Sequence, residues 1–126
     1  MNLDEVLAIH HDQIERYGGS HGVRELNLLI SAISRPQATF AGEDLYIDLF
    51  DKAAALMHSL ILNHPFVDGN KRTGVVSTAR FLFINNFSLK VDKMSLINVS
   101  LKVESKKWDI VEISSWLKKH SKKISA

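Results

Sequence analysis

Two apolar helical patterns, Leu45 to Asn63 and Val75 to Ile84, are separated by one short polar turn, His64-Pro65-Phe66-Val67-Asp68-Gly69-Asn70-Lys71-Arg72. In the first pattern Leu49, Phe50, Ala53, Leu56, Met57, Leu60 and Ile61 recur at helical spacing. In the second, Val75, Val76, Ala79, Phe81, Leu82, Phe83 and Ile84 cover most of a helix circumference, which predicts a helix buried on several sides. A tight turn must therefore join two packed helices and open directly into the more buried one. The expected fold class is all-α: a compact bundle around the helix that begins at the turn.

The rest of the chain fits that architecture. Asn2 with Glu5 has the spacing of a capping box, and Leu3, Val6, Leu7, His10, Ile14 and Tyr17 follow it at helical period. Gly18-Gly19 supplies the stop. A second helix, 24–34, places Leu26, Leu29, Ile30 and Ile33 on one face and ends at Arg35-Pro36. The segment 37–44 is irregular, with Thr39-Phe40 its one extended stretch. After Asn85-Asn86 come an extended piece, 87–91, a helix around 95–103, and a last amphipathic helix capped by Asp109 and Glu112. At 126 residues, with six glycines and two prolines, one domain spanning 1–126 is expected.

The turn concentrates chemistry. A helix N-terminus carries unpaired backbone N–H groups and partial positive charge, so it favours an anion. Lys71 and Arg72 in that first turn repel the helix dipole unless an anion compensates them. Gly69 permits close approach, Asn70 offers an amide, and Arg72 offers a planar fork suited to phosphate oxygens. Asp68 supplies hard oxygen ligands that suit Mg²⁺ in a phosphate site. His64 can take a proton near neutral pH. Phe66, buried beneath the turn, would hold His64 and Asp68 in fixed relation. Anion binding is the stronger inference from spacing; catalysis follows if His64 faces the anion.

These residues resemble the Fic/Doc family, whose pattern is His-x-Phe-x-Asp/Glu-Gly-Asn-Gly-Arg-x-x-Arg. His64, Phe66, Asp68, Gly69, Asn70 and Arg72 fall in place, and the similarity runs from about residue 7 to residue 90. Tyr17-Gly18-Gly19, Arg35-Pro36-Gln37, Lys52-Ala53-Ala54-Ala55 and Arg72-Thr73 are more like the Doc ("death on curing") toxin branch. Lys71 stands where AMP-transferring members have a glycine, and Val75 where they have a second arginine. The resemblance implies a Fic-type bundle with a short flap before the third helix, formed from Arg35, Pro36, Thr39 and Phe40. It also implies a Mg-ATP-dependent kinase, with His64 as base, Asp68 holding Mg²⁺, and Gly69, Asn70, Lys71 and Arg72 binding ATP phosphates. The branch's biology implies a toxin that phosphorylates a threonine on a translation factor such as elongation factor Tu. The resemblance further implies a separate antitoxin whose disordered segment folds onto the first two helices. The family's self-inhibiting pattern, Ser/Thr-x-x-x-Glu-Gly/Asn, is completed neither at Thr39–Glu43 nor at Ser100–Glu104.

Two other readings remain at this level: an AMP transferase using the same His64 and Asp68, and a non-catalytic binding module. The net charge is only +2, a small excess for the lysines gathered between Lys102 and Lys123. They read as a solvated face, so nucleic acid is not the expected partner. The six histidines have no recurrent ligand spacing, which argues against zinc. No cysteine and no apolar run of membrane length occur, so a cytoplasmic chain without membrane contact is expected.

Overall fold

A computed structural model describes residues 1–124. Helix α1 (Leu3–Tyr17) is followed by α2 (Leu26–Ser34), a single 3₁₀ turn (Arg35–Gln37) and the hairpin β1 (Thr39–Phe40) and β2 (Glu43–Asp44). Then come α3 (Leu49–Leu62), α4 (Asn70–Ile84), β3 (Phe87–Leu89), α5 (Lys93–Ser105), α6 (Ile110–His120) and β4 (Ser121–Lys123). Helices dominate, as expected.

The predicted caps form. Asn2 and Glu5 exchange side-chain-to-backbone hydrogen bonds at the start of α1, and Asp109 and Glu112 do the same for α6. Asp48 and Asp92 cap α3 and α5. Each cap satisfies N–H groups that the helix itself leaves unpaired.

The centre of the bundle differs from expectation. It is α3, where Ala53, Ala54, Ala55, Leu56, Met57, Leu60 and Ile61 are buried around the whole circumference. The three alanines let neighbouring helices approach closely, so α3 touches α2, α4, α5 and α6. Helix α4 buries only part of its surface: in its last turn Phe81 and Leu82 are buried, whereas Phe83 and Ile84 are 54% and 44% exposed. The Arg80 guanidinium lies 5.7 Å from the Phe83 ring centroid, covering part of it. Where α4 meets α3, a Cβ on Gly74 would stand 2.8 Å from Ile61 Cγ1.

Two small antiparallel ladders complete the fold. Phe87↔Lys123, Ser88↔Lys122 and Leu89↔Ser121 pair β3 with β4, so part of the lysine-rich tail is a strand and not a helix face. The β1–β2 hairpin stands before α3, with Phe40 76% exposed.

Candidate functional site

The chain leaves α3 through Asn63 and His64, and His64 adopts φ +46°. Left-handed backbone at a non-glycine residue costs roughly 1–3 kcal/mol and persists only where surroundings impose it. Arg24 imposes it here: Nε donates to the His64 carbonyl at 2.7 Å and Nη2 to the Asn63 carbonyl at 2.9 Å. The backbone N–H groups of Arg24 and Glu25 donate to the Pro65 carbonyl, and Val67 N donates to the Gly22 carbonyl. The segment before α2 thus straps the turn from outside.

From inside, Asn70 braces the same turn. Its Oδ1 accepts from Phe66 N at 2.9 Å and its Nδ2 donates to the Phe66 carbonyl at 3.0 Å, both buried. The amide that was expected to face an anion is therefore committed, in part, to the backbone. Phe66 is buried, and the His10 ring stacks on it at 3.8 Å with 5° between planes. His10 Nε2 lies 2.8 Å from the Asp68 carbonyl oxygen, which can only accept, so Nε2 carries the proton.

Asp68 is gripped at both oxygens. Gly69 N donates to Oδ1 at 2.9 Å and Ser20 N donates to Oδ2 at 3.2 Å. These two backbone donors hold the carboxyl below its ordinary range, so the exposed group stays ionised at neutral pH. Each oxygen keeps acceptor capacity beyond these bonds and the residue is exposed, which fits one hard ligand of a magnesium ion. Gly19 makes the grip possible, since a Cβ there would lie 2.7 Å from Asp68 Oδ2 and the backbone holds φ +115°. Gly19→Ala should release the Ser20–Asp68 bond and raise the Asp68 pKa toward its ordinary value. A carboxyl titration followed by NMR would show this, and an unchanged Asp68 curve would contradict it.

Gly69 caps α4 in left-handed geometry, φ +75°, with no side chain across the helix end. A polar cavity of about 320 Å³ opens there, lined by His64, Val67, Asp68, Gly69, Asn70, Lys71, Arg72 and Glu104. The imidazole and carboxylate, the cations and the helix end predicted from the motif therefore share one space. Glu104, from the last turns of α5, is the member with no local signal. It accepts from Lys71 Nζ at 3.2 Å, and its Oε2 lies 3.9 Å from His64 Nε2.

Two of the expected roles are modified. Arg72 is anchored, with Nη2 donating to the Gly18 carbonyl at 2.9 Å and Nη1 to the Gln13 carbonyl at 3.3 Å. Its fork is therefore only partly open to an anion. Of the flap residues, Thr39 and Phe40 stand exposed in the hairpin, but Arg35 and Pro36 turn inward. The Arg35 guanidinium contacts Tyr46 Oη, Ser59 Oγ and His58 Nδ1 at 2.8–2.9 Å, because the 3₁₀ turn lays it against α3. Arg35 and Pro36 are the hairpin's root.

An apolar groove of about 350 Å³ adjoins the polar cavity between α1, α4 and α5. Val75, Val76, Leu96, Ile97 and Leu101 form its walls, and Lys71 and Arg72 border both spaces.

Burial lowers the His10 pKa below 6.5, and His58 is lowered by burial and by Arg35. As pH falls below about 6.5 the unfolded chain binds protons that the folded chain refuses, so stability falls until pH passes the lowered folded values. Urea unfolding should weaken from pH 8 to pH 5.5, and His10→Gln should flatten part of that slope, leaving the His58 share. An unaltered slope in the variant would contradict the buried neutral assignment.

Fold, turn and cavity define a helical bundle that opens a polar cavity at the start of its motif helix. The chain belongs to the Fic/DOC family, whose model matches residues 1–82. Among curated proteins it is similar to "Toxin Doc" of Mycolicibacterium smegmatis, 51% identical over 76 residues, 60% of this chain and 58% of that protein. It is also similar to "Protein kinase doc" of Escherichia phage P1, 37% identical over 79 residues, 63% of this chain and 62% of that one. The matches thus span about three-fifths of these relatives' lengths.

Proposed function

We propose that this chain is the toxin of a toxin–antitoxin pair and acts as a Mg-ATP-dependent protein kinase. It would transfer the terminal phosphoryl group of ATP to a threonine hydroxyl of a translation factor and so block translation. Elongation factor Tu is the factor to test first. The observation that carries this reading is the convergence of His64, Asp68, Lys71 and the open N-terminus of α4 on one polar cavity beside an apolar groove. A polar pocket for phosphates joined to an apolar wall for a base has the form of a nucleotide site.

The transfer would run as follows. His64 takes the proton of the acceptor hydroxyl while its oxygen bonds to the γ-phosphorus. The bond from that phosphorus to the bridging oxygen breaks, and ADP leaves with the electron pair. Backbone N–H groups of α4's first turn, Lys71, and the outward N–H groups of Asn70 and Arg72 would meet the charge on the phosphoryl oxygens. Glu104 keeps Lys71 aimed into the cavity. Magnesium bound at Asp68 would supply charge neutralisation at the phosphates.

Lys71 favours a kinase over an AMP transferase, since its side chain occupies the cavity where that branch has glycine. Val75 lines the apolar groove, so no second arginine reaches the cavity from that position. The relative named a protein kinase supports the same choice. For the antitoxin, the exposed apolar residues Tyr17, Val23, Leu26 and Ile30 leave an uncovered strip by α1 and α2 that suits a segment folding onto it. The exposed hairpin could align the target by adding its strand.

Expressing the chain without an antitoxin and weighing translation factors by mass spectrometry tests the reading. A phosphate adduct on one factor, missing with His64→Ala, is expected. A nucleotide adduct would transfer the assignment to the AMP transferase, and toxicity retained with His64→Ala would favour a non-catalytic module.

A further inference from the structure

His10 and His11 are neighbours with opposite orientations. His10 faces the core, stacked on Phe66, whereas His11 faces solvent. One helical turn later Glu15 lies on the same outer face, and the loop after α1 folds His21 back against both. His11 Nε2 is 3.6 Å from Glu15 Oε1, and His21 Nε2 is 3.4 Å from the same oxygen. The two imidazoles are tilted by 33° with centroids 4.9 Å apart, and one donor atom from each residue lies within 4.8 Å of the others.

We propose that His11, Glu15 and His21 form a binding site for zinc or a chemically similar divalent transition metal. Two imidazoles and one carboxylate are a recurring three-residue zinc set with a fourth position open to water. In a tetrahedral site with bonds near 2.0–2.1 Å, the distance between ligand atoms is about 3.4 Å. The two His–Glu distances, 3.6 and 3.4 Å, already lie close to it. Only the imidazole-to-imidazole separation has room to tighten, and both side chains are solvent-facing and free to rotate. The histidine spacing in the sequence argued against zinc because His21 reaches the set only through the turn at Gly18-Gly19.

The site has a structural consequence. His21 sits between two anchors of the motif: Ser20 N holds Asp68 Oδ2, and the Gly22 carbonyl accepts from Val67 N. A metal joining His21 to two α1 residues would pin loop 18–22, and through it fix Asp68. This holds whether or not the chain transfers phosphate. The alternative, two exposed His–Glu ion pairs, requires protonated histidine and weakens as pH rises. Metal binding requires neutral imidazole and strengthens over the same range.

The test uses the untagged full chain titrated with ZnCl₂ in a calorimeter, with backbone hydrogen exchange on the same sample. One ion per chain is expected, with affinity rising from pH 6 to pH 7.5 and slower exchange in loop 18–22. His21→Ala and Glu15→Gln should each weaken binding by at least about 10-fold, the lower end of what second-shell changes alone produce. His120→Ala should leave it unchanged. Both sites of substitution are exposed, so folding should survive. Absence of saturable binding, or binding that survives His21→Ala and Glu15→Gln, would overturn the site; tight binding with unaltered loop exchange would overturn the pinning.

Discussion

His64→Ala is expected to lower phosphoryl transfer by about 10²–10⁴-fold, the share that a positioned general base supplies, while leaving the fold intact. The side chain is half exposed and makes no hydrogen bond among the described residues, with Glu104 Oε2 lying 3.9 Å from its Nε2. Truncating such a group falls in the range of surface substitutions, within about 0.5 kcal/mol. His64→Gly sharpens the test. It removes the same imidazole and also relieves the left-handed backbone at φ +46°, so its thermal midpoint should exceed that of His64→Ala. Kinetics and melting on the two variants separate chemistry from structure. Near-normal transfer by either variant would place the base elsewhere.

Asn70→Ala should instead act on stability first. The amide is the sole partner of the Phe66 N–H and carbonyl among the described contacts, and both are buried. Alanine would leave each without a partner, at roughly 1–3 kcal/mol per group. Because the turn that carries His64 and Asp68 hangs from that brace, activity should fall with it. Asn70→Asp keeps the acceptor for Phe66 N but sets an acceptor-only oxygen against the Phe66 carbonyl in a buried place, so it should not restore what alanine loses. Urea unfolding of the pair measures this. An alanine variant as stable as the parent would mean that Phe66 is held by packing against His10 and α3 instead.

These two residues show what a sequence can reveal here. The motif placed an imidazole, a carboxylate and cations together because all lie within nine residues of one turn, where local geometry dominates. Capping residues were legible for the same reason: Asn2 with Glu5 and Asp109 with Glu112 act over three positions. Asn70 carried the right chemistry for an anion, but nothing local says that its amide turns back to Phe66. Arg72 likewise could not be seen to reach Gly18 and Gln13, which lie more than fifty positions away. Arg24, His10 and Glu104 shape the site from α1, α5 and the strap before α2, and none has a local signature.

The misplacement of the bundle's centre has a simple physical cause. Apolar periodicity weights large side chains, so Phe83 and Ile84 made α4 look enclosed although both stay exposed. Small residues count for less in such a pattern, yet Ala53, Ala54 and Ala55 are what allow α3 to be surrounded. The strand at Ser121–Lys123 was hidden because lysine is depleted in strands and its partner, β3, lies far away in sequence.

On the proposed reading, the cavity lined by His64 and Lys71 holds the terminal phosphate of ATP and passes it to a protein hydroxyl. Parallel reactions with magnesium, purified elongation factor Tu, and ATP labelled at either the γ- or the α-phosphorus test it most directly. Label entering the factor from the γ-position alone, and vanishing with His64→Ala, is the predicted result. Label entering from the α-position would contradict it.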